Sequence, residues 1–336
     1  MNFYPAERRK EINQEFLPRS ITKRRFMMVS AIRGLIFLLI FPFLFFSCGK
    51  KDGTREIIDR SGRPVVIKGN TFNRIISTAP SNTEIITDLG QAHRLIAIDV
   101  HSANISNLPS NLTLLDFFYP DAEVIVTLEP DLIIASGHNP TGTGEDPFKL
   151  LTDMGIPVVY ISMSKSVEEI YNDITFVADL LQVKKEGEDL IASTRARISR
   201  IADNISRATA HYEKRPSVYF ELSAPPYMMA FGKDSYIDDM ISIIAARNIF
   251  ADEDWLVMPS VEAVIERNPD IIFTNVNYIE NPIAEIKDRL GFNHINAVMN
   301  DRVYEIDNDS SSRPSARVLL ALRQMAEAVY PELGAQ

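Results

Sequence analysis

Cysteine is almost absent from this chain: one residue, Cys48, occurs among 336. A single thiol forms no internal disulfide and no cysteine-based zinc site, so the fold must be held by its apolar cores. Histidine is also scarce, with five residues, and no two of them have the His-x-x-x-His spacing of a helical metal site. A bare zinc or manganese site is therefore disfavoured, and no cofactor is expected.

The motifs of the common α/β enzymes are missing as well. There is no Gly-x-Gly-x-x-Gly after a strand, no Gly-x-Ser-x-Gly elbow and no Gly-x-x-x-x-Gly-Lys-Ser/Thr loop. The segment 141–144, Thr-Gly-Thr-Gly, is too isolated to predict a phosphate cradle. An α/β enzyme is thus the less favoured alternative, and no catalytic residue is predicted.

Long apolar runs are confined to one place near the amino terminus. Residues 35–46 form an apolar run of a dozen residues, preceded by basic residues and followed at once by Ser47 and Cys48. The run is shorter than the about 20 residues that span a bilayer, and it is typical of an export signal. Met27 or Met28 would start a signal of more usual length.

Cys48 resembles the lipidated cysteine of a bacterial lipoprotein, with Phe45 where leucine is usual. We therefore expect residues 1–47 to be a signal peptide and residues 48–55 to be a lipidated tether, with the protein anchored on the outer side of a membrane. A buried, inert thiol is the alternative role of Cys48.

Basic residues are in deficit. The chain has 35 basic and 45 acidic side chains. Removal of residues 1–47 takes away eight basic and three acidic ones, which leaves 27 and 42 and a net charge of −15. Nucleic acid is an improbable partner for so acidic a protein.

A helix-to-strand passage occurs twice, at residues 121–134 and 260–273. In each copy a glutamate, Glu123 or Glu262, stands in the predicted first turn of a short helix, and Pro-Asp then ends the helix and opens a buried strand. Two copies so far apart are too few for a solenoid and indicate two similar lobes instead.

Continuous apolar strands alternate with helical patterns on both sides of a helical middle segment. Predicted strands at 74–78, 95–99, 131–135 and 158–162 favour a parallel sheet covered on both faces. Predicted strands at 217–222, 270–274 and 302–306 alternate with helices at about 236–246, 260–267, 283–290 and 314–329. Ser81 and Glu84 have the spacing of a capping box for the first helix, which Gly90 ends.

The middle segment predicts two long helices with a break near Gly187. The fold class is therefore α/β: two Rossmann-like lobes with parallel sheets, joined by a long rigid helix. The expected domains are an amino-terminal lobe at 56–165, a helical segment with the interlobe helix at 166–214 and a carboxy-terminal lobe at 215–336.

This organisation resembles the ABC-importer substrate-binding proteins that bind cobalamin, haem and ferric siderophores. The resemblance covers nearly the whole exported chain and is carried by the order and spacing of several passages. They are residues 74–84, the two Glu-to-Pro-Asp passages, 231–235, 247–250 and 309–313. It implies a dimeric ABC permease with its ATPase subunits as partner.

In that family one glutamate on each lobe docks into a basic pocket of the permease. Glu123 and Glu262 match those positions. Charge pairs at the edge of an interface set register and speed encounter, and the helix dipole favours a carboxylate in the first turn. A plain first-turn glutamate is the alternative role of each.

The ligand is expected between the lobes, where loops leave the carboxyl ends of the strands. Aromatic faces on the walls suit flat macrocycles, although ordinary packing would also explain them. By the family resemblance Asp309 and Arg313 contact the ligand, and His138 lies in a loop that points at the cleft. The predicted ligand contacts are Phe117, Phe118, Tyr119, His138, Tyr227, Trp255, Asp309 and Arg313.

Cobalamin or a related corrinoid is the preferred ligand because of Asp309 and Arg313. Haem or a ferric siderophore is the alternative; the axial tyrosine of haem-binding relatives is displaced here to Tyr119, and Asp116 approximates its place. A lipoprotein that senses a ligand without transport is the remaining alternative.

Overall fold

A computed structural model describes residues 53–116, 118–137 and 146–331. Their strands are β1 (Thr54–Ile58), β2 (Pro64–Lys68), β3 (Ile75–Ser77), β4 (Leu95–Asp99), β5 (Thr113–Leu115), β6 (Leu132–Ser136), β7 (Val158–Ile161), β8 (Ser217–Ser223), β9 (Met229–Phe231), β10 (Arg247–Asn248), β11 (Leu256–Val257), β12 (Ile271–Thr274) and β13 (Val303–Glu305).

Their α-helices cover the two sheets and connect them. The helices are α1 (Pro80–Asp88), α2 (Ala122–Thr127), α3 (Lys149–Asp153), α4 (Val167–Leu180), α5 (Lys184–Ala208), α6 (Tyr236–Ile243), α7 (Val261–Arg267), α8 (Pro282–Asp288), α9 (Asn296–Met299), α10 (Asn308–Ser312) and α11 (Val318–Val329).

The first sheet has the order β5-β4-β3-β6-β7, and every neighbouring pair is parallel. All residues of β6 and β7 are buried. Helices on both faces leave no solvent side for a polar alternation, which is why these strands are continuously apolar in the sequence. The predicted parallel sheet is confirmed.

The second sheet has the order β11-β9-β8-β12-β13, with β10 also paired to β8. Strands β8, β12 and β13 are parallel as predicted. The β8–β9 and β9–β11 pairs are antiparallel, so the expectation of a purely parallel sheet was wrong here. Only five residues, 224–228, join β8 to β9, and so short a connection reverses the chain.

Helices α4 and α5 lie between the two sheets in the chain, as the helical pattern predicted. The break between them falls at residues 181–183, where Gln182 has a φ of 60°, and the predicted break at Gly187 was wrong. Gly187 lies inside α5, where an added Cβ would stand 2.5 Å from the Cβ of Ala178. The glycine is needed for the close approach of α4 and α5, not to end a helix.

One apolar core runs through both lobes. It contains Ile75 and Ile134 from the first sheet, Val218 and Phe273 from the second, and Ile198 from α5. The 25 residues of α5 extend over about 38 Å, and the helix packs along the shared core. Such packing resists hinge bending between the lobes.

The first structural element of the described residues is the hairpin β1–β2. It begins at Thr54, inside the predicted tether 48–55, because Thr54 and Arg55 pair with β2. Its turn joins β7: the N–H of Arg60 donates to the Tyr160 carbonyl at 3.1 Å, and the Tyr160 N–H donates to the Asp59 carboxylate at 3.0 Å.

Candidate functional site

The duplicated passage has the same structure in both copies. Asp121 and Ser260 are the N-caps of α2 and α7: Asp121 accepts the N–H groups of Glu123 and Val124, and Ser260 accepts the N–H of Ala263. Glu123 and Glu262 therefore occupy the same second position of their helices. Each helix is followed by a residue in the left-handed region, Glu129 at φ 46° and Asn268 at φ 40°, directly before the proline.

The aspartate of each Pro-Asp pair performs the same task. The Asp131 carboxylate accepts the N–H groups of Asn73 and Arg74 at 2.7 and 3.0 Å. The Asp270 carboxylate accepts the N–H and the hydroxyl of Ser217 at 2.9 and 2.7 Å. Both aspartates thereby tie the start of their own strand to the start of the neighbouring parallel strand.

This topology places both glutamates at corresponding edges of the two sheets. Helices α2 and α7 each end where β6 or β12 begins, so their first turns lie at the carboxyl edge of the sheet. Glu123 and Glu262 are exposed there. Hydrogen bonds from its own backbone N–H and from the Ser260 hydroxyl lower the pKa of Glu262, so its carboxylate is stably ionised at neutral pH.

A cavity of about 640 Å³ opens at the same edges. Its wall takes residues from the ends of β3, β4, β6 and β7 of the first sheet and from β8, β9 and the segments after β12 and β13 of the second. Apolar and aromatic lining residues include Val100, Met163, Leu222, Phe231, Tyr236, Trp255 and Leu256. Polar ones include Ser81, His101, Asn104, Asp173, Asn277, Asn308, Asp309 and Arg313.

Arg313 joins the two lobes at the base of this cavity. Its Nη1 donates to Oε1 of Glu84 at 3.0 Å, and its Nη2 donates to the His101 carbonyl and the Asn104 side-chain oxygen, each at 3.0 Å. Nη2 also lies 2.6 Å from the Asp309 carboxylate. The guanidinium is thus largely occupied by groups of the protein itself.

The role of Glu84, the ion-pair partner of Arg313, differs from the helix-capping role that the sequence pattern predicted. Helix α1 has Ala79 as its N-cap and no side-chain cap, so the predicted Ser81–Glu84 capping box was wrong. Burial raises the pKa of Glu84, and hydrogen bonds from the Ser315 hydroxyl at 2.6 Å and from Arg313 oppose that shift. Gly90 does end the helix region with a φ of 74°, as predicted.

Asp173 is a buried carboxylate in the cavity wall. It accepts the Ser164 hydroxyl at 2.7 Å and the Nε of Arg60 at 2.5 Å. Burial raises the pKa of Asp173, and these two hydrogen bonds only partly oppose that rise. Through Arg60, the turn of the hairpin β1–β2 contacts a residue of the cavity.

Three predicted ligand contacts line the cavity, namely Trp255, Asp309 and Arg313. Phe118, Tyr119 and Tyr227 do not line it and are strongly exposed, contrary to the expectation that they form its walls. The Asp116 carboxylate accepts the N–H groups of Phe118 and Tyr119 at 2.8 and 2.7 Å, in a turn before α2. Cys48, Phe117 and His138 lie outside the described residues.

Sequence reasoning missed His101, Phe231 and Tyr236 as lining residues. His101 follows β4 directly, and the rule that ligands bind at the carboxyl ends of parallel strands was a signal that would have found it. Phe231 lies on the antiparallel strand β9, and Tyr236 begins the helix that follows it. The sequence pattern did not predict β9 and therefore did not place these two residues at the cavity. Within the described part of the chain, no three His, Cys, Asp or Glu side chains are grouped to hold a metal ion.

The protein has two α/β lobes that are joined by packed helices, and their sheets meet at a cleft along the strand ends. This arrangement defines a two-lobed ligand-binding protein. The periplasmic binding protein family matches residues 75–310, and the chain belongs to this family. It is an extracytoplasmic solute-binding protein of the class that serves ABC transporters, and not an enzyme. No helix in the described ranges is long and apolar enough to cross a membrane.

Several known proteins are similar over most of their length. The chain is 29% identical over 276 residues to the uncharacterized ABC transporter substrate-binding lipoprotein YvrC of Bacillus subtilis, covering 82% of this chain and 85% of that protein. It is 27% identical over 257 residues to the vitamin B12-binding protein of Vibrio campbellii, covering 76% and 88%. The crystal structure of a possible iron-binding (periplasmic solute-binding) protein from Staphylococcus epidermidis matches with a TM-score of 0.68 at 30% identity, covering 77% and 99%.

Proposed function

We propose that the protein is the lipid-anchored substrate-binding component of an ABC importer that captures cobalamin or a related corrinoid and delivers it to the permease. The carrying observation is the cavity of about 640 Å³, in which Trp255 stands with Asp309 and several amide side chains. An aromatic face and convergent polar groups suit a broad macrocycle with amide substituents. The Vibrio campbellii relative, named a vitamin B12-binding protein, supports the same ligand class.

The polar residues that line the cavity would have different roles toward the ligand. Because Arg313 already donates to Glu84, His101 and Asn104, its main role is to hold the lobes around the ligand. Asp309 and the amides of Asn277 and Asn308 are then the groups that meet the amide substituents of a corrinoid.

Haem or a ferric siderophore is the second candidate, and His101 is the observation that favours it. This residue lines the cavity, and imidazole is a ligand of haem iron. The Staphylococcus epidermidis structure, described as a possible iron-binding protein, supports the same alternative.

A titration of the soluble protein from residue 53 onward with cyanocobalamin, haemin and ferric siderophores tests the ligand class. Trp255 is the chain's single tryptophan, so quenching of its fluorescence reports ligand at the cavity wall. We expect saturable quenching by cyanocobalamin. If haem is the ligand, His101→Ala will abolish the absorption change of haemin. If the protein binds none of these compounds, the proposal is refuted.

Glu123 and Glu262 would dock the protein on its permease. Their equal positions on α2 and α7, both exposed at the carboxyl edges that flank the cavity, support this role. A permease with two equivalent subunits presents two equivalent sockets, so a duplicated acidic contact matches its symmetry. Reversal of both charges, Glu123→Arg with Glu262→Arg, should abolish uptake and leave ligand affinity intact. Normal uptake by this variant would remove the assignment.

Cys48 would carry the lipid anchor. The proposal rests on the apolar run before it and on YvrC, which is named a lipoprotein. Cys48→Ser should release the protein from the membrane fraction without changing ligand binding. Retention of this variant on membranes after a high-salt wash would contradict lipidation.

A further inference from the structure

A second concave surface lies between α5 and α11, and it shares no lining residue with the ligand cavity. Its volume is about 780 Å³. Four arginines line it: Arg197 and Arg200 from α5, and Arg317 and Arg323 from the α11 side. We call this surface the arginine groove.

The charge of the arginine groove is opposite to that of the protein. Four arginines stand there against two carboxylates, Asp88 and Glu327, whereas acidic side chains outnumber basic ones in the chain as a whole. Like charges gathered on one surface repel one another, and a bound anion would relieve that repulsion.

The arginines differ in how far they are already neutralised. Arg323 donates to Glu327 at 2.7 Å, and Arg317 lies 3.3 Å from Glu84. Arg197 and Arg200 are exposed, stand three positions apart on one face of α5 and have no ion-pair or hydrogen-bond partner among the residues that the structure describes. They are the two guanidinium groups free to receive an anion.

The floor of the groove is apolar. Leu319 is buried, Leu320 is 43% exposed, and Ile201, Ala316 and Ala326 also line the groove. A ligand that carries an apolar part next to its charged group would cover this floor.

We propose that the arginine groove binds a phosphate-bearing ligand, with its phosphate oxygens on Arg197 and Arg200 and any apolar part on the leucine floor. Planar guanidinium forks match phosphate oxygens in pairs, and several forks serve the three or more oxygens of a phosphate better than the two of a carboxylate. The ligand is either a free phosphate compound or a phospholipid headgroup, since both present the same chemistry. The site is independent of the importer function proposed above.

The test uses the full chain and two probes at low ionic strength, where arginine–anion contacts are least screened. Inorganic pyrophosphate is titrated by calorimetry, and binding to phosphatidylglycerol vesicles is compared with binding to phosphatidylcholine vesicles by sedimentation. The variant is Arg197→Gln with Arg200→Gln. The matched control, Lys184→Gln with Lys185→Gln, removes the same charge from exposed positions of the same helix outside the groove.

We expect the arginine variant to weaken binding at least about tenfold, because each arginine contributes charge-assisted hydrogen bonds, while the lysine control binds like the unaltered chain. An effect on pyrophosphate alone identifies a free phosphate compound, and an effect on phosphatidylglycerol vesicles identifies a headgroup. All four substitutions are at exposed positions, so unchanged thermal unfolding will show that the fold is kept. The proposal is overturned if neither probe binds the unaltered chain, or if the arginine variant and the lysine control bind alike.

Discussion

Nη1 of Arg313 lies 3.0 Å from Oε1 of Glu84, although 229 positions separate the two residues. Glu84 belongs to α1 beside the first sheet, and Arg313 follows α10 beyond the last strand of the second. Both side chains are buried. A charge pair removed from water in this way is sensitive to the loss of either partner, because the remaining charge keeps its desolvation cost.

Glu84→Ala should therefore lower the free energy of unfolding by about 3 to 5 kcal/mol, as removal of one partner of a buried ion pair does. Denaturant unfolding of the variant measures this loss. Glu266→Ala, at an exposed position of α7, is the control and should change stability by less than about 0.5 kcal/mol. The joint change Glu84→Met with Arg313→Met should cost less than Glu84→Ala. A loss of under about 1 kcal/mol for Glu84→Ala would show that the pair does not hold the lobes together.

Two aspartates, the buried Asp99 and the half-buried Asp270, should give stability changes of opposite sign with pH. Burial raises the pKa of Asp99, and hydrogen bonds from Ser102 and from the His101 N–H only partly oppose it. Its stabilising contribution is therefore present below the ordinary pKa of about 3.9 and is lost as pH rises through the raised value. The cost of Asp99→Asn should fall as pH increases.

Asp270 shows the reverse case. Burial raises its pKa, but the hydrogen bonds from Ser217 and Asn296 together lower it further than burial raises it. Its contribution is present above about pH 3.9 and is lost as pH falls through the lowered value, so Asp270→Asn should cost least in acid. Unfolding measured from about pH 2 to about pH 7 tests both. The same trend in both variants would contradict the burial argument.

Trp255 and Tyr227 should differ in their effect on ligand binding. Trp255 lines the cavity, whereas Tyr227 is 73% exposed and does not. Trp255→Ala should weaken binding of the ligand found by titration on the order of tenfold or more, because a buried aromatic face is lost. Tyr227→Ala is the matched control and should bind normally. Equal losses would place Tyr227 in the site after all.

The docking surface should contain an apolar anchor beside each glutamate. Tyr119 and Met258 each stand four residues before their glutamate, with a proline and an N-cap between, and they are 85% and 70% exposed. Large exposed side chains in two equivalent places favour a shared contact surface. Tyr119→Ala with Met258→Ala should weaken binding to the purified permease on the order of tenfold.

The control for this surface is Ile58→Ala, at a 60% exposed position of β1 far from either glutamate in the sequence. It should leave permease binding unchanged. If charge reversal at Glu123 and Glu262 abolishes the complex while the Tyr119 and Met258 variant still binds normally, the docking role of the glutamates is supported. The prediction of apolar anchors is then wrong.

Local pattern predicted the elements whose burial is periodic or continuous. Strand β4 has the predicted bounds, and β6, β7, β8 and β12 lie within a residue of them, because strands buried on both faces tolerate little but apolar side chains. The short pairs β9–β11 and β8–β10 escaped prediction. Strands β10 and β11 have only two residues each, which is too few to show an alternating pattern.

The sequence by itself determined the twofold repeat, and with it the matched positions of Glu123 and Glu262, since capping residues and Pro-Asp pairs act over one turn of chain. Only the tertiary structure decided that Glu84 pairs with Arg313 instead of capping its own helix, and that Trp255 faces the cavity while Tyr119 does not. Those outcomes depend on contacts between segments more than a hundred residues apart and on exposure to solvent. Local spacing carries no information about either.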